Sequence, residues 1–243
     1  MITCFWLPGT GFSTGPDGIS QAFGAALDRD RFEFVPLRYS AAYGGLDVSY
    51  AVSVAQGKQV LLDAIRATPN RVIIGGYSQG AGIAGSLAQE IARGKHRDVE
   101  VLACALIADP LRPEGQGAPG LPAPGGYGIA GERFIDPSLP AFWASAPGDA
   151  ICALPAGNPL RSIADLSEWY SLRSPGDAFV WMEKLKERAF QRRWQRWWSL
   201  ENWRSWSGAI GFATGYLTGR HTTAYLTEDL AVGLAAVVNR EVR

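Results

Sequence analysis

The chain carries no surplus of charge of either sign: 23 Lys and Arg offset 23 Asp and Glu, a formal net charge of +0. That balance removes the overall pull toward polyanions on which nucleic-acid binding depends, so no nucleic-acid partner is expected. Long apolar runs are also missing. None approaches the ~20 residues that a membrane-spanning helix requires, so no transmembrane segment is expected. The opening stretch "MITCFWLPGTG" lacks the basic start and the long apolar core of a secretory signal, and reads as a first strand. Cysteine is scarce. Cys4, Cys104 and Cys152 are an odd, scattered set without metal-ligand spacing. Neither a disulfide framework nor a metal site is expected from them, and they read as buried free thiols. Histidine is scarcer still, with two in 243 residues, so an imidazole base can only be His96 or His221.

What the chain has is apolar content, at 47% of residues, enough for one sizeable core. Residues 2–7 read as a buried strand, followed by the glycine-rich loop "PGTGFSTGPDG". "RFEFVPLRY" (31–39) alternates like a second strand, and 49–67 carries apolar residues at helical intervals. "RVIIGGY" is a short buried strand, "GAGIAGSLAQEIARG" a helix and "VEVLACALIAD" another strand. Strands alternating with helices predict an α/β chain with a mostly parallel sheet covered on both faces. From Pro110 to Pro140 proline and glycine dissolve the pattern into a long excursion. "AFWASAPGD" reads as a strand ending in a turn, and "EDLAVGLAAVVNR" as a last amphipathic helix. Residues 1–243 are expected to form one domain, with 160–215 a Trp-rich helical insertion.

The chemistry is written in "GYSQG" (76–80), a Gly-x-Ser-x-Gly pattern between an apolar strand and a small-residue helix. Glycines flanking Ser78 let the backbone turn sharply and hold the hydroxyl above the carboxyl edge of the sheet. The helix beginning near Gln79 aims its first amides at the same spot, so the Gln79 N–H can donate to an oxyanion. "LPGTG" after the first strand is the candidate source of a second donor, through the N–H and hydroxyl of Thr10. A plain structural turn is the alternative reading of that loop.

A serine hydroxyl needs a base. His221, in "LTGRHTTAYL", follows a glycine-punctuated loop and precedes the last helix, where the order serine, acid, histidine puts one. His96, in the charged link "ARGKHRD", reads as a solvated loop residue. The base in turn needs a carboxylate. Asp149, at the end of the "AFWASAPGD" strand, is placed first. Asp177 in "LRSPGDAFV" and Asp109 in "LIADP" remain alternatives, the former resembling a helix cap and the latter a tie for the following loop.

Together, "GYSQGA", the strand ending "IADP", the acid in "GDAIC" and the late histidine resemble cutinase-like serine esterases. "PGTG" and the tryptophan-bearing insertion look most like the lysin B proteins of mycobacteriophages. The resemblance implies an α/β-hydrolase fold and no cofactor. It implies an esterase that detaches mycolic acids from arabinogalactan during host lysis. Ser78 would be nucleophile, Asp149 acid and His221 base, with mycolyl-arabinogalactan or another envelope lipid ester as substrate. It further implies synthesis in the host cytoplasm and action at the host envelope after release. Fungal cutinases pair the cysteine of the Gly-Asp-x-x-Cys motif with another four residues before the aspartate. Here that position is Ser145. Some lysin B proteins carry an N-terminal peptidoglycan-binding segment, and none is expected ahead of a strand starting at residue 2. A general cutinase or lipase on short-chain or polymeric esters, a peptidase, and a non-catalytic wall-binding module are the other readings. The oligomeric state is left open.

Residues 181–206 hold six of the nine tryptophans among many Lys and Arg. They read either as a helical cap packed on the sheet's flank, with arginine stems over the rings, or as an amphipathic cover touching a lipid- or sugar-rich surface.

Overall fold

A computed structural model of the chain describes residues 1–42, 49–158 and 219–243. The expected Trp-rich insertion at 160–215 lies outside these residues.

Five parallel strands form one sheet in the order β2-β1-β3-β4-β5. They are β1 (Ile2–Leu7), β2 (Phe32–Pro36), β3 (Arg71–Tyr77), β4 (Ala103–Ile107) and β5 (Ala141–Ala144). The helices among the described residues are α1 (Gly18–Ala26), α2 (Tyr50–Ala67), α3 (Gln79–Ala92), α4 (Arg220–Thr227) and α5 (Leu230–Glu241). Parallel strands need crossovers, and these helices cover both faces, so the central strands are apolar on both sides. Alternate residues divide accordingly. Cys4, Trp6, Ile73, Ala105 and Ile107 pack with Phe23 of α1 and Leu234 and Val238 of α5. Phe5, Leu7, Ile74, Cys104 and Leu106 pack with Leu61 of α2 and Ile83 and Leu87 of α3.

Two strands are shorter than their apolar patterns suggest. Among the described residues β2 is an edge paired only with β1, and its register runs from Ile2↔Phe32 to Trp6↔Pro36. β4 ends at Ile107 because its neighbour β3 ends at Tyr77 and Ala108 turns to a φ of 53°.

Helix α1 was not legible, since Gly18 and Gly24 dilute its pattern. It is fixed instead by Asp17, whose carboxylate accepts from the Ser20 amide at 2.8 Å, the Ser20 hydroxyl at 2.8 Å and the Gly9 amide at 3.2 Å. His221 follows Gly219 and precedes the last helix, α5, and itself lies in the first turn of the short helix α4. "RHTTAYLT" is poor in strong helix formers, and the turn is held by the Gly219 carbonyl, which accepts from the Thr222 and Thr223 amides and from both hydroxyls.

The excursion after β4 is tied down by two buried arginines. Carbonyls without a sheet partner need donors, and Arg112 supplies them. Its guanidinium donates to the carbonyls of Cys152 and Gly126 at 2.7 Å each, Pro124 at 2.7 Å and Gln116 at 2.9 Å. Arg133 pairs with Asp109 at 2.5 Å, and both side chains are buried. All three cysteines are free and buried. Burial pushes the Cys4 and Cys104 thiols far up, which leaves them protonated and inert.

Candidate active site

Ser78 joins β3 to α3 with φ 55° and ψ −117°, a conformation that costs a non-glycine residue about 1–3 kcal/mol. Its neighbours make the turn possible. A Cβ on Gly76 would lie 2.4 Å from the Gly80 carbonyl carbon, and one on Gly80 would lie 2.1 Å from the Leu7 carbonyl oxygen. Only glycine allows β1, β3 and α3 to approach this closely. The Ser78 amide donates to the Ile107 carbonyl at 2.9 Å, anchoring the strained residue to β4.

The hydroxyl of Ser78 lies 3.0 Å from His221 Nε2. The other ring nitrogen, Nδ1, lies 3.0 Å from Oδ2 and 3.1 Å from Oδ1 of Asp149. The three residues come from the end of β3, the turn after β5 and the start of α4, and meet at the carboxyl edge of the sheet. Asp149 is fully buried, and its Oδ1 also accepts from the Ile151 amide at 2.9 Å. Burial alone would raise the Asp149 carboxyl. The adjacent His221 ring, the Tyr225 hydroxyl and the Ile151 amide outweigh burial and hold it below the ordinary Asp value. A hydroxyl on one imidazole nitrogen, with a carboxylate on the other, can give up its proton as its oxygen attacks an electrophilic carbon.

The other candidates are engaged elsewhere. Asp109 accepts from Arg133, from the Trp143 indole at 3.0 Å and from the Leu111 amide at 3.0 Å, and so holds the loop after β4. His96 lies 3.0 Å from Glu90, which also pairs with Lys58. Asp177 lies outside the described residues.

The Gln79 amide is at the first position of α3, where an N–H has no intrahelical acceptor. Thr10 is brought beside it. Its hydroxyl donates to Gln79 Oε1 at 3.4 Å, and a Cβ on Gly9 would lie 3.6 Å from the Ser78 Cβ. The Gln79 side chain is a strut under this corner. It donates to the Ala42 carbonyl at 3.0 Å, and its Oε1, at 3.2 Å, shares the single Tyr39 hydroxyl proton with the Pro8 carbonyl at 2.9 Å.

Sequence reasoning missed two tyrosines. Tyr77 stacks on the His221 ring, with centroids 5.2 Å apart and planes at 23°, and donates its hydroxyl to the His221 carbonyl at 2.7 Å. Tyr225, one helical turn after His221, donates to Asp149 Oδ2 at 2.6 Å. Its signal was the four-residue spacing in "HTTAY", which has meaning only on a helix. Among the described residues, no group of three or more His, Cys, Asp or Glu could hold a metal ion. No helix among them is long and apolar enough to cross a membrane.

Residues 35–122 match the PE-PPE domain family. A comparison with curated proteins gives no match. Among solved structures, lysin B from Mycobacteriophage D29 is similar over 88% of this chain and 89% of its own, at 18% identity and a TM-score of 0.59. The catalytic core domain of acetyl xylan esterase from Trichoderma reesei is similar over 78% of this chain and 94% of its own, at 20% identity and a TM-score of 0.47. A cutinase-like protein from Cryptococcus sp. covers 76% of this chain and 92% of its own, at 18% identity and a TM-score of 0.44. With its parallel sheet, flanking helices and strand–serine–helix turn, the chain has the α/β-hydrolase fold.

Proposed function

We propose that the chain is a serine carboxylic-ester hydrolase. The observation that carries this reading is the pair of contacts on His221, 3.0 Å to the Ser78 hydroxyl and 3.0 Å to the Asp149 carboxylate. In this mechanism Ser78 attacks the ester carbonyl as its proton passes to His221 Nε2. Asp149 holds the ring so that Nδ1–H faces the carboxylate and stabilises the imidazolium that forms. The tetrahedral oxyanion is received by the Gln79 amide and by Thr10. His221 returns the proton to the departing alkoxide, leaving an acyl-serine. Water, deprotonated by the same imidazole, then releases the acid and restores Ser78.

For the substrate, we propose the ester of mycolic acid on arabinogalactan in the mycobacterial envelope, cleaved during phage-induced lysis. The sequence resemblance to lysin B proteins supports it, and so does the fold shared with lysin B of Mycobacteriophage D29. The enzyme would then be made in the host cytoplasm and act on the envelope once released.

Two experiments test these statements separately. A fluorophosphonate probe labels the wild-type protein but not Ser78→Ala, and the same variant loses turnover of p-nitrophenyl butyrate while keeping its circular dichroism spectrum. Labelling or turnover that survives in Ser78→Ala rejects the mechanism. Incubation with purified mycolyl-arabinogalactan releases mycolic acids detectable by mass spectrometry. Ester turnover without that release, falling steeply beyond butyrate, points to a general short-chain esterase instead.

A further inference from the structure

We propose that Tyr225 is a positioning residue for this site, its hydroxyl fixing the plane and the charge distribution of the Asp149 carboxylate against His221. The proposal rests on the reading of Ser78, His221 and Asp149 as a catalytic set.

Asp149 and Tyr225 are both fully buried, so protein groups orient the carboxylate. Oδ1 accepts from the Ile151 amide at 2.9 Å and faces His221 Nδ1 at 3.1 Å. Oδ2 faces the same Nδ1 at 3.0 Å, the Tyr225 hydroxyl at 2.6 Å and the Cys152 thiol at 3.5 Å. The imidazole is shared nearly evenly between the two oxygens and so does not select one carboxylate rotation. The two fixed donors do: the Ile151 amide pins Oδ1 and Tyr225 pins Oδ2. At 2.6 Å the tyrosine contact has the length of a charge-assisted O–H···O⁻ bond, the stronger class.

The direction of the hydroxyl proton follows from its other neighbours. The Ala146 amide donates to the Tyr225 oxygen at 3.2 Å, occupying one lone pair. Of the remaining acceptors, the Cys152 sulfur at 3.3 Å is weak, and the carboxylate takes the proton. Burial, with the neighbouring Asp149 charge, pushes the phenol far up, so it remains a donor. The helix completes the device. His221 and Tyr225 are four residues apart on α4, so one helical turn brings base and hydroxyl to the same carboxylate. The Tyr225 ring also meets the Tyr77 ring edge-on, with centroids 6.1 Å apart, and Tyr77 stacks on His221.

The hydroxyl draws charge from Oδ2. Without it, the carboxylate becomes a stronger but less oriented acceptor for Nδ1–H. Tyr225→Phe keeps the ring and removes only the donor. Its kcat for p-nitrophenyl butyrate falls about tenfold while KM is unchanged, as expected for a contact that matters once the imidazolium forms. The low-field proton resonance of His221 Nδ1–H moves further downfield. A 3-fluorotyrosine at position 225, which keeps the hydroxyl and makes it more acidic, moves that resonance upfield. It also provides the test should the phenylalanine variant fail to fold. Wild-type kcat in folded Tyr225→Phe, or a resonance unmoved in either variant, overturns the proposal. Failure of the wild-type protein itself to label with the fluorophosphonate instead sinks the esterase reading, so the two outcomes are distinct.

Discussion

Tyr77 grips His221 from two sides, its ring stacked 5.2 Å from the imidazole and its hydroxyl donating to the His221 backbone carbonyl at 2.7 Å. The residue before the serine therefore sets both the height of the imidazole and the position of the helix that carries it. Tyr77→Phe should keep the stack and lose the tie to α4, lowering stability by about 1 kcal/mol and kcat a few-fold. Tyr77→Leu should cost more than tenfold in kcat, because the imidazole loses its platform. Thermal unfolding and steady-state kinetics on the two variants check the ordering, and equal losses in both would refute it.

The strain at Ser78 gives a second expectation. Its φ of 55° is penalised for serine and free for glycine. Relief of about 1–3 kcal/mol exceeds the extra chain entropy of glycine, about 0.5–1 kcal/mol. Ser78→Gly should therefore raise the unfolding free energy by about 1 kcal/mol while removing all fluorophosphonate labelling. Ser78→Ala, which keeps the strain, should show no such gain. Denaturant titration of the two variants decides it.

The Asp109–Arg133 pair passes over α3 at Gly85, where a Cβ would lie 1.8 Å from Arg133 Nη2. Gly85→Ala should drive the guanidinium off Asp109 and leave a buried carboxylate without its cation. Breaking a buried pair in this way costs about 3–5 kcal/mol, far beyond the usual benefit of alanine in a helix. A variant as stable as the wild type in urea would show that the arginine has another seat.

Asp149 carries a pH signature. Its carboxyl is held below the ordinary Asp value of about 3.9, so its contribution to stability is complete above that value and is lost as pH falls through the folded one. The gap in unfolding free energy between wild type and Asp149→Asn should narrow steadily as pH falls below the ordinary Asp value. A gap independent of pH would mean that the carboxylate is not specifically stabilised in the fold.

Much of this was written along the chain. β1 and β3 are continuous apolar runs because both of their faces are covered, and that pattern is local. "GYSQG" is local too, since the close approaches at Gly76 and Gly80 demand glycine at fixed offsets from the serine. With two histidines in the chain, the candidates for a base were few from the start. The helical state of His221 was not legible, because a short threonine-rich segment becomes helical only when Ala224 and Tyr225 find their buried seats.

Residue types, their spacing and the sidedness of each strand were thus determined by the sequence alone, because each depends on neighbours a few bonds away. Which aspartate faces His221, and which tyrosine braces it, was decided only by the tertiary structure. Asp109 and Asp149 both follow strands, and what separates them is Arg133 waiting at one and His221 with Tyr225 at the other. His221 and Tyr225 lie more than seventy residues along the chain from Asp149, and only the packing of α4 against the sheet brings them within hydrogen-bonding distance of it.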